Sequence, residues 1–154
     1  MTNHQRTARW LAACGKTPNV GDVSTQIGCD LEEFSEYLRC LRVDSDGWQR
    51  VLERATVDLQ DLATEVKKGK RIAHIPNHLR VEALDALCDR EVTGNGVAYL
   101  ASMNKDQADQ AVLAANDAKL VDGKPVILPG GKIGKPTGWT PPNLAPFVLN
   151  QKSG

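Results

Sequence analysis

Apolar residues recur at steps of three and four along most of this chain, which is the spacing of one buried face of an α-helix. The clearest example lies in the second predicted helix, whose apolar stripe consists of Ile27, Leu31, Phe34, Leu38 and Leu41. Ser24 or Thr25 is expected to cap this helix, and the turn-forming residues 44–47 are expected to end it after Val43. The stripe predicts the packing face of the helix.

The same periodicity and its interruptions predict helices over residues 2–14, 48–68, 77–102 and 104–121. From residue 122 onward, Gly, Pro and Lys dominate, which favours an irregular tail with room for a short β-hairpin at residues 126–133. The predicted fold class is all-α: a bundle of four to five helices. We expect one domain over residues 1–154, with a helical core over 3–121 and a tail over 122–154.

Three carboxylates lie away from the apolar stripe of the second predicted helix. Glu32, Glu33 and Glu36 fall within about a third of a turn of one another on a helical wheel. An ordinary solvated face interleaves Lys and Arg with its acids, but no basic residue occurs between Lys16 and Arg39. This unbalanced acidic face indicates a site for a cation.

A second row of acids, Glu82, Asp85 and Asp89, lies within about 60° on the helix predicted over residues 77–102. Two antiparallel helices that each present such a row can build a cage of oxygen ligands. Oxygen ligands in that number suit Mg²⁺ or Mn²⁺, and such ions commonly hold substrate phosphates. The alternative is that both rows are ordinary surface charge.

Composition narrows the function classes. The 19 basic and 19 acidic residues give a formal net charge of zero, and aromatic residues make up 5% of the chain, so neither nucleic acid nor a membrane is an expected partner. The four cysteines form no CxxC pair, which argues against zinc and favours reduced thiols. The first residues form no apolar leader segment. We therefore expect a cytoplasmic protein.

Lysines beside glycines in the tail can approach phosphates closely. Lys124, Lys132 and Lys135 have this setting. The segment is not a P-loop, because Pro129 occupies the first Gly position of that motif and Pro136 replaces its Ser or Thr. A lysine-bearing surface tail without a binding role is the alternative.

Four motifs follow one another between residues 23 and 145. They are Gln26-Ile-Gly28-x-x-Leu-Glu32-Glu33-x-x-Glu36; Asp85-Ala-Leu-Cys-Asp89 with Gly96; Asn116-Asp-Ala-Lys119; and Asp122-Gly-Lys-Pro with Gly131-Lys132, Lys135 and Pro141-Pro-Asn-Leu144. In this order they resemble the MazG-like all-α NTP pyrophosphohydrolases, and the first motif is similar to that of a phage branch called MazZ. The second motif departs from the family's ExxD pattern at Ala86, so Glu82 or Asp85 must supply one expected ligand.

The resemblance implies hydrolysis of a nucleoside triphosphate between its α- and β-phosphates, with two to three Mg²⁺ or Mn²⁺ ions as cofactors. The implied metal ligands are Glu32, Glu33, Glu36, Asp85 and Asp89. The implied catalytic residues are Glu33, Glu36 and Lys119. The implied nucleotide-binding residues are Gly96, Asn116, Lys119, Lys132 and Lys135.

The expected substrate is a purine NTP or dNTP, with dGTP favoured by the similarity to the phage branch. The resemblance also implies a homodimer or homotetramer in a bacterial or phage-infected cytoplasm. Three alternatives stay open: a house-cleaning hydrolase of a non-standard nucleotide, a phosphoribosyl-ATP pyrophosphohydrolase, and a non-catalytic helical module whose acids bind a basic partner. The last alternative predicts no metal requirement.

Overall fold

The computed structural model describes residues 1–128 and 133–149 of the chain. Its α-helices are α1 (Asn3–Ala13), α2 (Val20–Arg39), α3 (Asp46–Lys67), α4 (Arg80–Leu100) and α5 (Lys105–Asp117). Short 3₁₀ helices cover Asn77–Leu79 and Ala145–Phe147. Strands β1 (Leu120–Val121) and β2 (Lys124–Pro125) form an antiparallel hairpin that pairs Leu120 with Pro125. The predicted class, all-α with a small hairpin, is confirmed.

The ends of α1 are set by local chemistry. The Thr2 hydroxyl accepts a hydrogen bond from the backbone N–H of Gln5, and the Gln5 side chain accepts one from the backbone N–H of Thr2, which makes a capping box. At the other end Gly15 adopts a positive φ of 74°, the conformation that commonly terminates helices. The predicted helix over residues 2–14 is confirmed.

The start of α2 differs from the prediction. Asn19, not Ser24 or Thr25, caps this helix by accepting a hydrogen bond from the backbone N–H of Asp22 at 2.9 Å. Ser24 lies buried inside the helix, where its hydroxyl accepts a hydrogen bond from the backbone N–H of Ala73. The capping residue thus lies five residues before Ser24, the first of the two predicted caps. The helix also ends earlier than predicted, at Arg39 instead of Val43.

The chain divides into two compact units, and the second of these, Thr17–Leu79, is built on the α2–α3 helical hairpin. The buried residues of α2 are Ser24, Gly28 and Ser35. The prediction that the apolar stripe is buried is therefore wrong for Phe34, which is 40% exposed, while the rest of the stripe is half-buried. Small residues let two helix backbones approach closely, so α3 packs on a face rotated away from the stripe.

Polar contacts reinforce this close approach. The Ser35 hydroxyl donates to the Oε1 atom of Gln60 on α3 at 2.8 Å, and Arg39 donates to the same oxygen at 2.9 Å. A Cβ atom on Gly28 would lie 2.7 Å from Cγ of Lys67, so glycine is required where the helices meet. The unit is held by complementary small surfaces rather than by a large apolar core.

The other unit contains Met1–Lys16 and the described residues from Arg80 onward. Here α1 packs against α5, and the tail runs alongside α5. At one end of α5, the backbone N–H of Asn104 donates to the carbonyl of Phe147 at 2.8 Å, and Leu149 donates to the carbonyl of Ser102. The tail is therefore irregular but attached to the helices.

The hairpin forms earlier than predicted. Helix α5 ends at Asp117 instead of about residue 121, and the residues that follow make β1 and β2 around Asp122 and Gly123, which both have positive φ. In the predicted hairpin region only Ile127 and Ile133 form an isolated bridge among the described residues. Residues 129–132, within that predicted hairpin, lie outside the described residues.

Helix α4 runs without interruption through Gly94 and Gly96, as predicted. In the described residues no helix is both long and apolar enough to cross a membrane. All four cysteines fall in described parts of the chain and are free thiols.

Candidate functional site

The C-terminal end of α5 contacts two distant parts of the chain, α1 and the tail. The indole Nε1 of Trp10, on α1, donates a hydrogen bond to the carbonyl of Asn116 at 2.8 Å. The indole Nε1 of Trp139, in the tail, donates to the carbonyl of Ala115 at 2.7 Å. The last carbonyls of a helix lack the usual intrahelical partner, and Trp139 donates to one of them, that of Ala115. Trp10 adds a second donor to the carbonyl of Asn116, which also accepts from the backbone N–H of Lys119.

Lys119 lies between these two rings. Its Nζ atom is 5.9 Å from the centroid of the Trp10 ring and 5.4 Å from that of Trp139, and it donates a hydrogen bond to Oδ1 of Asn116 at 2.9 Å. Lys135 reaches the Trp139 ring as well, with its Nζ 4.5 Å from the centroid. We call the five residues Trp10, Asn116, Lys119, Lys135 and Trp139 the Trp–Lys cluster.

The cluster carries unbalanced positive charge. Among residues 1–128 and 133–149, neither Lys119 nor Lys135 forms an ion pair with a carboxylate. The nearest acid in sequence, Asp117, is engaged by Arg6, whose Nε and NH2 atoms lie 2.8 and 2.7 Å from Oδ2. Aromatic rings contact both ammonium groups, and the Asn116 amide oxygen accepts one N–H of Lys119. Each ammonium group has three N–H donors, so donors remain for an anion.

Cys14 lies near the same cluster. Burial raises the pKa of the Cys14 thiol above its ordinary value of 9.0, and the positive charges of Lys16 and Lys119 partly oppose this rise. The thiol therefore stays protonated at neutral pH, which makes it a poor nucleophile and a poor metal ligand. Cys14 is half-buried and directly follows the last residue of α1.

A cavity of about 570 Å³ adjoins Trp10 in the same unit. Arg6, Arg9, Trp10 and Asp117 contribute to its wall, together with Leu120 and other residues. Its volume falls in the range of small-molecule sites. Its wall combines the Trp10 ring and Arg9 with the ion pair of Arg6 and Asp117, so part of its positive charge is already balanced.

The first acid row lies on α2. Glu33 and Glu36 are exposed, three positions apart on one side of the helix. The Oε2 atom of Glu32 accepts a hydrogen bond from the ammonium group of Lys67 on α3. That hydrogen bond is the main reason why the pKa of Lys67 is raised above its ordinary value. Glu32 is thus paired with a cation of the protein.

The second acid row lies on α4, in the other unit. Glu82, Asp85 and Asp89 are all exposed, and Gly96 follows two turns after Asp89 on the same face. In the described part of either unit, no three His, Cys, Asp or Glu side chains are grouped so as to hold a metal ion. Within its own unit, neither acid row is therefore completed to a metal site by other described side chains.

The structure brings together Asn116, Lys119 and Lys135, three of the residues that the sequence singled out. Lys132 lies outside the described residues. The sequence did not single out Trp10 and Trp139 as site residues, although tryptophan is rare in this chain, which has three. It also missed Arg6 and Lys67, because nothing in the local pattern pairs them with partners 111 and 35 residues away.

Comparison with known proteins identifies no relative: no family model, curated protein or solved structure matches the chain.

Proposed function

We propose that this protein is a metal-dependent nucleoside triphosphate pyrophosphohydrolase. It would cleave a purine NTP or dNTP, with dGTP favoured, between the α- and β-phosphates to give a monophosphate and pyrophosphate. The motif resemblance supplies the reaction class and the substrate. The proposed place of action is the cytoplasm.

The observation that carries the proposal is the Trp–Lys cluster. Asn116 and Lys119 belong to one motif and Lys135 to another, and both lysines lie against the ring of Trp139 while Asn116 accepts a hydrogen bond from Lys119. The ammonium groups of Lys119 and Lys135 have no carboxylate partner among the described residues. Such donors suit a group that develops negative charge as a phosphoanhydride bond breaks.

Each acid row, the one on α2 and the one on α4, is by itself a proposed set of metal ligands. Exposed carboxylates have the oxygen chemistry that Mg²⁺ and Mn²⁺ prefer, although the described side chains are not grouped in threes around a possible ion. When bound, two or three such ions would neutralise phosphate charge and lower the pKa of a water molecule. On α2 the proposed ligands are Glu32, Glu33 and Glu36, and an ion bound at Glu32 would compete with Lys67 for its carboxylate.

The remaining roles fall to named side chains. One carboxylate of α2, on Glu33 or Glu36, would accept the proton of the attacking water. Lys119 and Lys135 would bind the leaving pyrophosphate, and the Asn116 amide would orient Lys119 and the nucleotide. Gly96 would leave room for the substrate beside Asp85 and Asp89.

A homodimer or homotetramer is part of the proposal. Four apolar residues of α4, Val81, Leu84, Leu87 and Val92, expose more than half of their surface. A helix with apolar residues on several sides is usually buried, and exposed apolar area of this kind is typical of a contact with another chain. A second copy of the chain is the proposed occupant, and the molar mass in solution tests it directly.

The decisive experiment is to measure pyrophosphate release from a panel of canonical and modified NTPs and dNTPs. Each reaction is run with Mg²⁺, with Mn²⁺ and with EDTA. We expect release that depends on metal and is fastest for dGTP. The variants Glu33→Gln and Glu36→Gln should each lose turnover at least about 100-fold while retaining helical circular dichroism. Turnover unaffected by both variants, or by EDTA, would refute the assignment.

A non-catalytic acidic interaction module is the second candidate. It is favoured by one observation, the ion pair between Glu32 and Lys67, because it shows an acid of the row binding a lysine. This candidate predicts no pyrophosphate release from any nucleotide in the panel. It also predicts that a lysine-rich peptide binds the intact chain and that Glu33→Gln weakens that binding without any metal present.

A further inference from the structure

Trp139 ends a compact turn of the tail, and its indole ring attaches this turn to α5. The backbone N–H of Trp139 donates to the carbonyl of Pro136 at 3.0 Å, and Gly138 within this turn has a φ of +81°, which favours glycine. The turn brings Lys135 back across the indole ring, and the indole Nε1 anchors the whole segment to the carbonyl of Ala115. One side chain thus fixes the position of a tail lysine relative to α5.

The same ring also contacts a lysine of the helical core. Lys119 Nζ lies 5.4 Å from the ring centroid and Lys135 Nζ lies 4.5 Å from it. Two like charges around one ring repel each other, and a π face compensates each of them only in part. A ligand with two or more negative charges would relieve that repulsion, whereas a neutral ligand would not.

We propose that Trp139 is a positioning residue that holds Lys119 and Lys135 as a two-lysine site for a pyrophosphate group. The inference rests on the proposed function for the identity of the ligand, since pyrophosphate is the expected product. Without Trp139 both lysines remain in the chain, but Lys135 loses its anchor and Lys119 loses one of its two rings. The affinity for pyrophosphate should then fall although no ligand-contacting group has been removed.

The test measures the dissociation constant of inorganic pyrophosphate for the intact chain by calorimetry, with and without Mg²⁺. Trp139→Leu removes the ring and the N–H donor, and we expect binding to weaken about 10-fold. Trp139→Phe keeps a ring, so binding should weaken by about threefold or less. Trp48→Leu is the matched control, because Trp48 is 65% exposed on α3 in the other unit and should leave binding unchanged.

A double-mutant cycle separates positioning from simple anchoring of the fold. If Trp139 acts through the two lysines, Trp139→Leu should have no further effect on binding in a protein that already carries Lys119→Met and Lys135→Met. An unchanged dissociation constant in Trp139→Leu, or the same loss in both backgrounds, would overturn the inference. Failure of the wild-type protein to bind pyrophosphate would overturn it too.

A second measurement covers the case in which Trp139→Leu does not fold. In a protein with Trp10→Phe and Trp48→Phe, Trp139 is the only fluorophore of its kind, and pyrophosphate bound to the two lysines should shift its emission. Binding detected by calorimetry without such a shift would contradict the inference. If Trp139→Leu weakens binding but the wild type releases pyrophosphate from no nucleotide, the two-lysine site stands and the proposed function fails.

Discussion

The ammonium group of Lys67 donates a hydrogen bond to Oε2 of Glu32 across the α2–α3 hairpin. Each side chain is about a third exposed, so the pair is partly shielded from water. It lies beside Gly28, where an added Cβ atom would be 2.7 Å from Cγ of Lys67. A residue that the sequence predicts as a metal ligand is therefore also part of the contact that holds the hairpin together.

Removing the lysine should destabilise the hairpin in a pH-dependent way. The pKa of Lys67 is raised, mainly by the hydrogen bond from its ammonium group to Glu32, so the charged form is favoured in the folded state. The stabilisation is complete below about pH 10.5, the ordinary pKa of lysine, and is lost as the pH rises through the raised value. Lys67→Met should lower the free energy of unfolding by up to about 1 kcal/mol at pH 8.

Urea denaturation at pH 8 and at pH 11.5 measures this difference. The gap between the wild type and Lys67→Met should be smaller at the higher pH, since the wild type then loses the same interaction. Lys70→Met is the matched control, because the Lys70 side chain is 61% exposed and its pair with Glu65 should contribute little. A gap that widened with pH would show that the pair does not act as described.

The same pair makes a prediction about metal binding. If Glu32 is a metal ligand, Lys67 competes with the cation for its carboxylate, and its positive charge repels the ion. Lys67→Met should then lower the Mg²⁺ concentration for half-maximal activity about fivefold, the effect of roughly 1 kcal/mol of relieved repulsion. Glu32→Gln should raise that concentration.

A Mg²⁺ titration of turnover, or of binding followed by calorimetry, distinguishes the two roles of Glu32. Lys70→Met again serves as the control, because it removes the same charge three residues after the end of α3. If neither Lys67→Met nor Glu32→Gln moves the Mg²⁺ dependence, Glu32 serves the fold alone and the metal ligands of α2 reduce to Glu33 and Glu36.

Gly28 should tolerate no side chain. An added Cβ atom would meet Cγ of Lys67 at 2.7 Å and both the backbone N of Lys67 and Cγ1 of Val66 at 3.1 Å. Because a backbone atom cannot move without shifting α3, Gly28→Ala should destabilise the unit by about 1–2 kcal/mol after the gain in helix propensity. Gly47→Ala, whose Cβ would meet only Ser45 Oγ at 3.8 Å, should be neutral or stabilising. Thermal unfolding of both variants tests this difference in stability.

The sequence could predict the helices because their periodicity and stop signals are local. Gly15 and Asn104 end and begin helices where the pattern indicates. The face of α2 that packs could not be predicted in the same way. Hydrophobic periodicity predicts that Phe34 is buried and gives no weight to Gly28. Close packing of two helices instead favours the smaller residue at the contact. That preference depends on the partner helix, which the pattern does not specify.

The candidate site was predictable only in part, for a related reason. Motif spacing singled out Asn116 and Lys119, which are three residues apart on one turn. The contacts of Trp10 and Trp139 with that turn span 106 and 24 residues, and no local signal encodes them. Long-range pairs of this kind follow from the tertiary fold.

Gly96 offers the sharpest test of where the substrate binds, because α4 provides its own control. Gly94 and Gly96 both lie inside α4, and among the described residues no atom lies within 4 Å of a Cβ added at either position. Alanine at either site should therefore raise the free energy of unfolding by up to about 1 kcal/mol through helix propensity. On stability alone the two variants should behave alike.

Their effects on activity should differ. Gly96 shares a face of α4 with Asp85 and Asp89, whereas Gly94 points about 160° away. If the nucleotide approaches the helix at that face, Gly96→Ala should lower kcat/KM for dGTP about 10-fold or more, while Gly94→Ala leaves it unchanged. Equal kcat/KM values in the two variants, with both proteins stabilised, would place the substrate away from this face and remove Asp85 and Asp89 from the set of proposed metal ligands.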